Sequence, residues 1–207
     1  MAKVKLGIIG VGNMGSSHIK NYLKDTMPEI EITAVADIKP DRLEWAKEQL
    51  PDVKTFDTAS ALMDSGEVDA VLIATPHYDH PPLVVEALEK GLHAMSEKPA
   101  GVYTKQVKEM NEAAAKSGKV FGIMFNQRTN PAFKLMKKMI ADGELGEIKR
   151  LNWIITNWYR PKAYYDSGAW RASWKGEGGG VLLNQAPHNL DLWQWICGMP
   201  VSVAAWC

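Results

Sequence analysis

Residues 7–23 read GIIGVGNMGSSHIKNYL. A strand-like run, Lys5–Ile9, enters Gly10, Gly12 and Gly15 in a G-x-G-x-x-G pattern, and the residues that follow have helical character. The first glycine permits a tight turn, the second lets backbone approach a pyrophosphate, and the third lets the helix pack on the strand. Asn13 and Met14 complete the candidate cofactor loop. A glycine-rich turn without a ligand is the alternative, and the strand–turn–helix context weighs against it.

Outward from this loop, short apolar or β-branched runs alternate with segments of helical spacing. The predicted strands are Lys5–Ile9, Ile32–Ala36, Val53–Phe56, Ala70–Ala74, His93–Met95 and Val120–Met124. Several have no polar face, as expected for parallel strands covered on both sides. Leu83, Val84, Ala87 and Leu88 form one helical stripe, and Val107, Met110 and Ala114 another. Pro40 and Pro82 stand where helices begin, Gly91 and Gly118 where they end. The pattern predicts a doubly wound α/β fold for residues 1–125.

The character then changes. Seven of the eight tryptophans lie between Trp153 and Trp206. Pro131–Ala141 reads as an amphipathic helix through Phe133, Met136 and Ile140, and Ile148–Trp158 alternates like a strand with one packed face. Val201–Cys207 reads as the opening of another strand, which suggests a chain cut short or completed by a partner. Residues 126–207 are therefore expected to form a second, partial domain.

The second predicted strand ends in Asp37, followed by Ile38. A carboxylate there can accept from both ribose hydroxyls of NAD and would repel a 2′-phosphate, so NAD is favoured over NADP. The distance from Gly10 exceeds the usual ~20 residues, and an insertion at TMPEIE accounts for it. Asp37 could instead cap the helix after Pro40. Beyond the carboxyl ends of the next strands stand ATPHYDH and SEKP, which place Thr75, Pro76, His80, Glu97 and Lys98 on the same rim as candidate cofactor contacts. From these four residues alone, SEKP reads equally as a surface ion pair.

Bulk properties narrow the class. The 207 residues carry 24 basic and 24 acidic side chains, which removes the electrostatic argument for nucleic acid or an anionic membrane. Two cysteines, Cys197 and Cys207, do not make a disulfide framework. The N-terminal apolar run is too short for a secretory signal, and no segment approaches the roughly 18 apolar residues of a membrane span. A soluble, cytoplasmic chain is expected. The five histidines suggest no closed metal site.

The ordered set GVGNMG, ADIKP, ATPHYDH, SEKP and GEGGGVLLNQAPHNLDLWQWICG resembles the glucose–fructose oxidoreductase / inositol dehydrogenase / MocA family of NAD(P)-dependent oxidoreductases. The resemblance spans essentially the whole chain. It implies an N-terminal Rossmann domain and the first part of a C-terminal α/β domain with an open, mostly antiparallel sheet. It implies that Lys98 contacts the reacting hydroxyl and the nicotinamide ribose, that the peptide before Pro99 is often cis, and that His188 is the general base. The family's aspartate four residues before that histidine is here Asn184, which cannot take a proton and is expected to position substrate. On a regular helix Asn184 and His188 would share a face, although Pro187 interrupts it. His188 could alternatively be a helix histidine paired with Asp191. The segment NWYRPKAYYDSGAWRASWKGEGGG resembles those of sugar- and cyclitol-acting members, so Tyr159, Trp170 and Arg171 are candidate substrate contacts, or an interface.

The resemblance thus implies oxidation of a secondary hydroxyl on a small-molecule sugar, glycoside or cyclitol, with Lys98 and His188 as catalytic pair and no metal. An NAD-dependent glycosidase using transient oxidation would begin identically. A non-catalytic nucleotide-binding regulatory protein on the same fold is the reading outside enzymology. By analogy a homo-oligomer is expected.

Overall fold

In the computed structural model, residues 2–156, 159–168 and 170–206 are described. Six strands form one parallel sheet: β1 (Val4–Ile9), β2 (Ile30–Ala36), β3 (Lys54–Phe56), β4 (Ala70–Ile73), β5 (His93–Ser96) and β6 (Phe121–Ile123). Their spatial order is β3-β2-β1-β4-β5-β6. The order reverses at β1, where chain direction away from the first strand switches, so a crevice opens beyond its carboxyl end. Helices α1 (Asn13–Tyr22), α2 (Pro40–Gln49), α3 (Ala59–Asp64), α4 (His80–Glu89) and α5 (Thr104–Ser117) make the crossovers.

The absence of a polar face in these strands has a direct cause. Ile9, Ala34, Ala36, Val71 and Ile73 are buried on one side with Val84, Leu88 and Met110 from α4 and α5. Their immediate neighbours Ile8, Val35 and Leu72 are buried on the other side with Ile19 of α1 and Ala46 of α2. Successive residues face opposite ways in a strand, so a sheet covered twice needs apolar residues at every position. Each fully buried Ile, Leu or Val contributes about 1.5–3 kcal/mol. A charge at Ile8 or Val35, both 0% exposed, would be unpaired in either layer.

Helix boundaries follow local chemistry. Pro40 occupies the first turn of α2, and Gly118 ends α5 in the left-handed region, at φ 64°. Further along, α6 (Pro131–Ala141) has Asn130 as its cap, whose side chain accepts from the Ala132 N–H at 2.9 Å.

Residues 126–206 contain helices and no strand among those described. After α6 come α7 (Lys162–Asp166), α8 (Trp174–Glu177), α9 (Val181–Asn184) and α10 (Pro187–Cys197). The strands expected at Ile148–Trp158 and Val201–Cys207 are not formed over residues 148–156 and 201–206; Trp158 and Cys207 lie outside the described residues. The expected antiparallel sheet is likewise not present among the described residues. Alternation specifies which side chains would face a core, but an extended segment becomes a strand only when a neighbour takes its N–H and C=O groups. Among the described residues no segment pairs with either stretch, and Ile154, Val203 and Trp206 remain at least 82% exposed. The amphipathic helix does form: α6 lies against α10, with Lys137 Nζ donating to the Trp195 carbonyl at 2.7 Å. Its Leu135 and Met136 stay exposed.

No helix among the described residues is long and apolar enough to cross a membrane.

Candidate active site

The glycine loop sits at the crevice. Gly10 has φ 89°, and a Cβ there would meet the Ala74 carbonyl oxygen at 2.8 Å. At Gly15 an added Cβ would lie 1.9 Å from the Gly10 carbonyl oxygen, so α1 starts against the loop only because this residue has no side chain. Around Gly12 the space is open, with nothing within 4 Å of an added Cβ. Helix α1 begins there with no side-chain cap and no acidic residue in its first turn. Its leading N–H groups and positive dipole end can therefore serve an anion, as a pyrophosphate requires. Exposed Asn13 and Met14 flank this opening.

Asp37 closes the loop from the next strand. Its Oδ2 accepts from the Val11 N–H at 2.7 Å and its Oδ1 from the Lys39 N–H at 2.9 Å. Asp37 thus clamps the loop to Lys39, the residue that precedes α2; it does not cap that helix, which has no side-chain cap. Each carboxylate oxygen keeps a second lone pair for a ligand hydroxyl. Ile38 is 85% exposed beside it. At the end of β4, the Thr75 hydroxyl is enclosed without a partner, and Pro76 is exposed next to it. A cradle of open backbone, a half-satisfied carboxylate and an orphaned hydroxyl fit a dinucleotide.

His80 is placed differently from its neighbours on the rim. It is buried, with Nδ1 2.7 Å from the Pro99 carbonyl and Nε2 2.9 Å from the Thr75 carbonyl. It ties the β4 and β5 ends together from beneath. Glu97 is also buried; its Oε1 pairs with His18 Nε2 of α1 at 2.8 Å, and its Oε2 lies 3.3 Å from the Lys98 N–H. His18 was not a candidate from the sequence, because the contact joins residues 79 positions apart. The Lys98–Pro99 peptide is cis.

Lys98 leaves this rim toward the second half of the chain. Its Nζ donates to the Asn184 backbone carbonyl at 2.6 Å and lies 3.4 Å from Asn184 Oδ1. Burial pushes the Lys98 amine down, Glu97 pulls it up, and Arg171 and Arg160 press it down again. Asn184 ends α9, whereas His188 lies in the first turn of α10, which Pro187 begins. The break at Pro187 means the two do not share one regular helix. His188 Nδ1 is enclosed and has no partner, and the ring meets Phe125 edge-on at 6.2 Å. Burial, with Lys98 second, lowers the His188 pKa from its ordinary value. Asp191 is not its hydrogen-bonding partner: both Asp191 oxygens accept from Arg128, through Nε at 2.8 Å and through Nη2.

Lys98, Asn184 and His188 border a cleft of about 640 Å³, whose opposite wall includes Trp153, Arg160 and Tyr164. The candidate trio from the aromatic segment is not brought together there. Tyr159 is 80% exposed. Trp170 stands edge-on to His77 at 5.0 Å, and Arg171 stacks over Tyr164 while donating to its hydroxyl at 2.7 Å. Arg171 thereby supports Tyr164 from behind, and Arg160 and Tyr164 take the places on the cleft. No sequence signal separated Arg160 from Arg171; only their placement in the structure does so. A larger hollow of about 810 Å³ lies between α4 and α5 on the outer helical layer, and none of the candidate residues lines it. Among the described residues, no group of three or more His, Cys, Asp or Glu side chains is placed to hold a metal.

Comparison with known proteins identifies the family of the chain. Residues 4–125 match the oxidoreductase family with an NAD-binding Rossmann fold, GFO_IDH_MocA, and residues 133–207 match the GFO/IDH/MocA C-terminal domain. The rhizopine catabolism protein MocA of Rhizobium meliloti is 30% identical over 199 residues, covering 96% of this chain and 58% of the relative. Myo-inositol 2-dehydrogenase of Thermotoga maritima is 28% identical over 199 residues, covering 96% and 56%. The crystal structure of the WlbA dehydrogenase from Bordetella pertussis, in complex with NADH and UDP-GlcNAcA, superposes with a TM-score of 0.85 at 29% identity, over 95% of this chain and 56% of that one. The chain spans a little over half the length of the curated relatives it matches. It belongs to the Gfo/Idh/MocA family of NAD-binding oxidoreductases.

Proposed function

We propose that this chain carries the cofactor-binding part and the reacting groups of an NAD-dependent dehydrogenase that oxidises a secondary hydroxyl of a sugar, sugar derivative or cyclitol. Residues 1–125 hold the dinucleotide, and residues 126–207 form the substrate side. The observation that carries the reading is the meeting of Lys98 Nζ with Asn184, beside the unpartnered Nδ1 of His188, on one cleft past the carboxyl ends of β4 and β5.

The chemistry divides cleanly among these groups. NAD, which the glycine loop, Thr75 and Asp37 would hold, would supply the acceptor for the hydride of the carbinol carbon. His188 takes the hydroxyl proton on its imidazole, whose lowered pKa keeps it neutral at pH 7, as a base must be. The Lys98 ammonium donates to the same oxygen and stabilises negative charge as the proton leaves. The Asn184 carbonyl holds the Lys98 ammonium, and the Glu97 carboxylate accepts from the Lys98 backbone N–H. Loss of hydride and proton leaves a ketone, so electrons and protons balance. Arg160 and Tyr164 present a cation and an aromatic face suited to a polyhydroxylated substrate. Named relatives support the class: one acts on myo-inositol, and one structure holds a nucleotide-linked sugar acid. The glycine loop, Thr75 and Asp37 supply the cofactor cradle, and Asp37 favours NAD over NADP.

The test is NAD reduction by this chain with a panel of inositols, free sugars, glycosides and nucleotide sugars. Reduction with one class, and ketone formed in equal amount, is expected. Aglycone release without net NADH would instead support the oxidation-driven glycosidase. Binding of NAD with no reaction across the panel would overturn the catalytic reading of the chain.

A further inference from the structure

The unabsorbed feature is a buried carboxylate behind the site. Glu177 ends α8 and is 6% exposed. Its Oε2 accepts from the Ala172 N–H at 3.1 Å, and its Oε1 accepts from Asn184 Nδ2 at 2.6 Å. Arg171 is its nearest cation, at 4.0 Å. The Glu177 backbone carbonyl lies 2.9 Å from His77 Nδ1, which holds this short helix against the end of β4. Asn184 is itself 5% exposed, and its amide has one donating and one accepting end. An ionised carboxylate only accepts and an ammonium only donates. With Glu177 on one side and Lys98 on the other, one orientation satisfies both: nitrogen to Glu177, oxygen to Lys98.

We infer that Glu177 is a positioning residue for Lys98: its charge acts through the Asn184 amide, fixing that amide and holding the lysine protonated and aimed at the cleft. An amide at 184 carries no charge of its own, and Glu177, which accepts from that amide, supplies it. The groups facing Lys98 are Glu97 and Glu177 on the acidic side, and Arg160, Arg171, His77 and His188 on the basic side. Burial and both guanidiniums favour the neutral amine, whereas both carboxylates oppose them. Glu97, which also pairs with His18, is the stronger of the two carboxylates on the Lys98 amine, and Glu177 is the one linked to it through the Asn184 side chain.

The inference rests on the reading of Lys98 as the ammonium that polarises substrate, but its test needs neither cofactor nor turnover. Protein labelled with 13C at lysine Cε is titrated by NMR, the Lys98 signal being assigned by its loss in Lys98→Arg. In Glu177→Gln the Lys98 titration is expected to move to lower pH, and in Glu177→Asp to stay nearer that of the unsubstituted protein. The double variant Glu177→Gln with Asn184→Asp exchanges the carboxylate and the amide and brings the charge next to Lys98. It is expected to move the titration above that of the unsubstituted protein. A folded Glu177→Gln whose Lys98 titrates unchanged would overturn the inference. If that variant does not fold, a double variant whose Lys98 titrates at or below the original pH overturns it instead. Failure of NAD reduction with a normal Lys98 response would count against the preceding reading alone.

Discussion

Replacing Asp37 with alanine separates two jobs that one carboxylate performs. The first is structural. The Val11 N–H, on a residue 0% exposed, donates to Asp37 Oδ2 at 2.7 Å. Without the carboxylate this donor is buried and unpaired, which costs about 1–3 kcal/mol. The Lys39 N–H is exposed and turns to water, so it adds little. A loss of about 2 kcal/mol lowers Tm by roughly 4–8 °C for a chain of this size. The second job is ligand choice. Loss of a charged acceptor for the ribose hydroxyls weakens NAD by at least about tenfold, since 1.4 kcal/mol is a factor of ten. NADP, freed of repulsion, is not weakened in proportion. Asp37→Asn keeps one acceptor but sets its NH₂ against one of the two backbone donors, so it should lose part of the stability and most of the selectivity. Thermal unfolding and calorimetric titration with both dinucleotides measure the two effects. An unchanged Tm would refute the clamp. A lowered Tm with an unchanged NAD-to-NADP preference would refute the cofactor role and leave Asp37 a structural residue.

Three other outcomes follow from the geometry. Gly15→Ala forces a Cβ onto the Gly10 carbonyl and should cost about 2–4 kcal/mol in urea unfolding with loss of NAD binding, whereas Gly12→Ala, in open space, should retain the fold. Arg128→Ala leaves the Asp191 carboxylate, 8% exposed, without its bidentate partner and should destabilise by about 2–3 kcal/mol; Arg128→Ala combined with Asp191→Asn should recover part of that loss. Oxidation rate should fall as pH drops through the His188 pKa, below the ordinary 6.5, and again as pH rises through that of Lys98, below the ordinary 10.5. Stability has the related sign: His77 and His188 both bind protons more weakly folded than unfolded, so stability holds above about pH 6.5 and declines below it.

What could be read from the sequence was what depends on near neighbours. Val35 and Ala36 had to be strand residues with both sides covered, because no polar alternation interrupted them. Gly10, Gly12 and Gly15 marked a turn whose fit depends on local backbone. The ends of β4 and β5 put Thr75 and Lys98 on one rim once the sheet was recognised as parallel. What could not be read depends on contacts made across the chain. Lys98 and Asn184 meet over 86 positions, and Arg128 claims Asp191 over 63, which left His188 without the acid that its own helix offered. Glu177 was not a candidate from the sequence; its burial against Asn184 is what distinguishes it. The alternation of Ile148–Trp158 was real as a pattern, but a strand needs a hydrogen-bonding neighbour that a pattern does not provide.

The proposed function makes Lys98 and His188 one reacting pair over a bound dinucleotide. A single-turnover experiment tests it, with NAD-saturated protein and a reducing substrate from the panel deuterated at its carbinol carbon. The account predicts deuterium in the reduced nicotinamide and a large fall in that step for both His188→Gln and Lys98→Met. It also predicts NAD affinity nearly unchanged in His188→Gln. Transfer at the original rate in either variant would contradict the account.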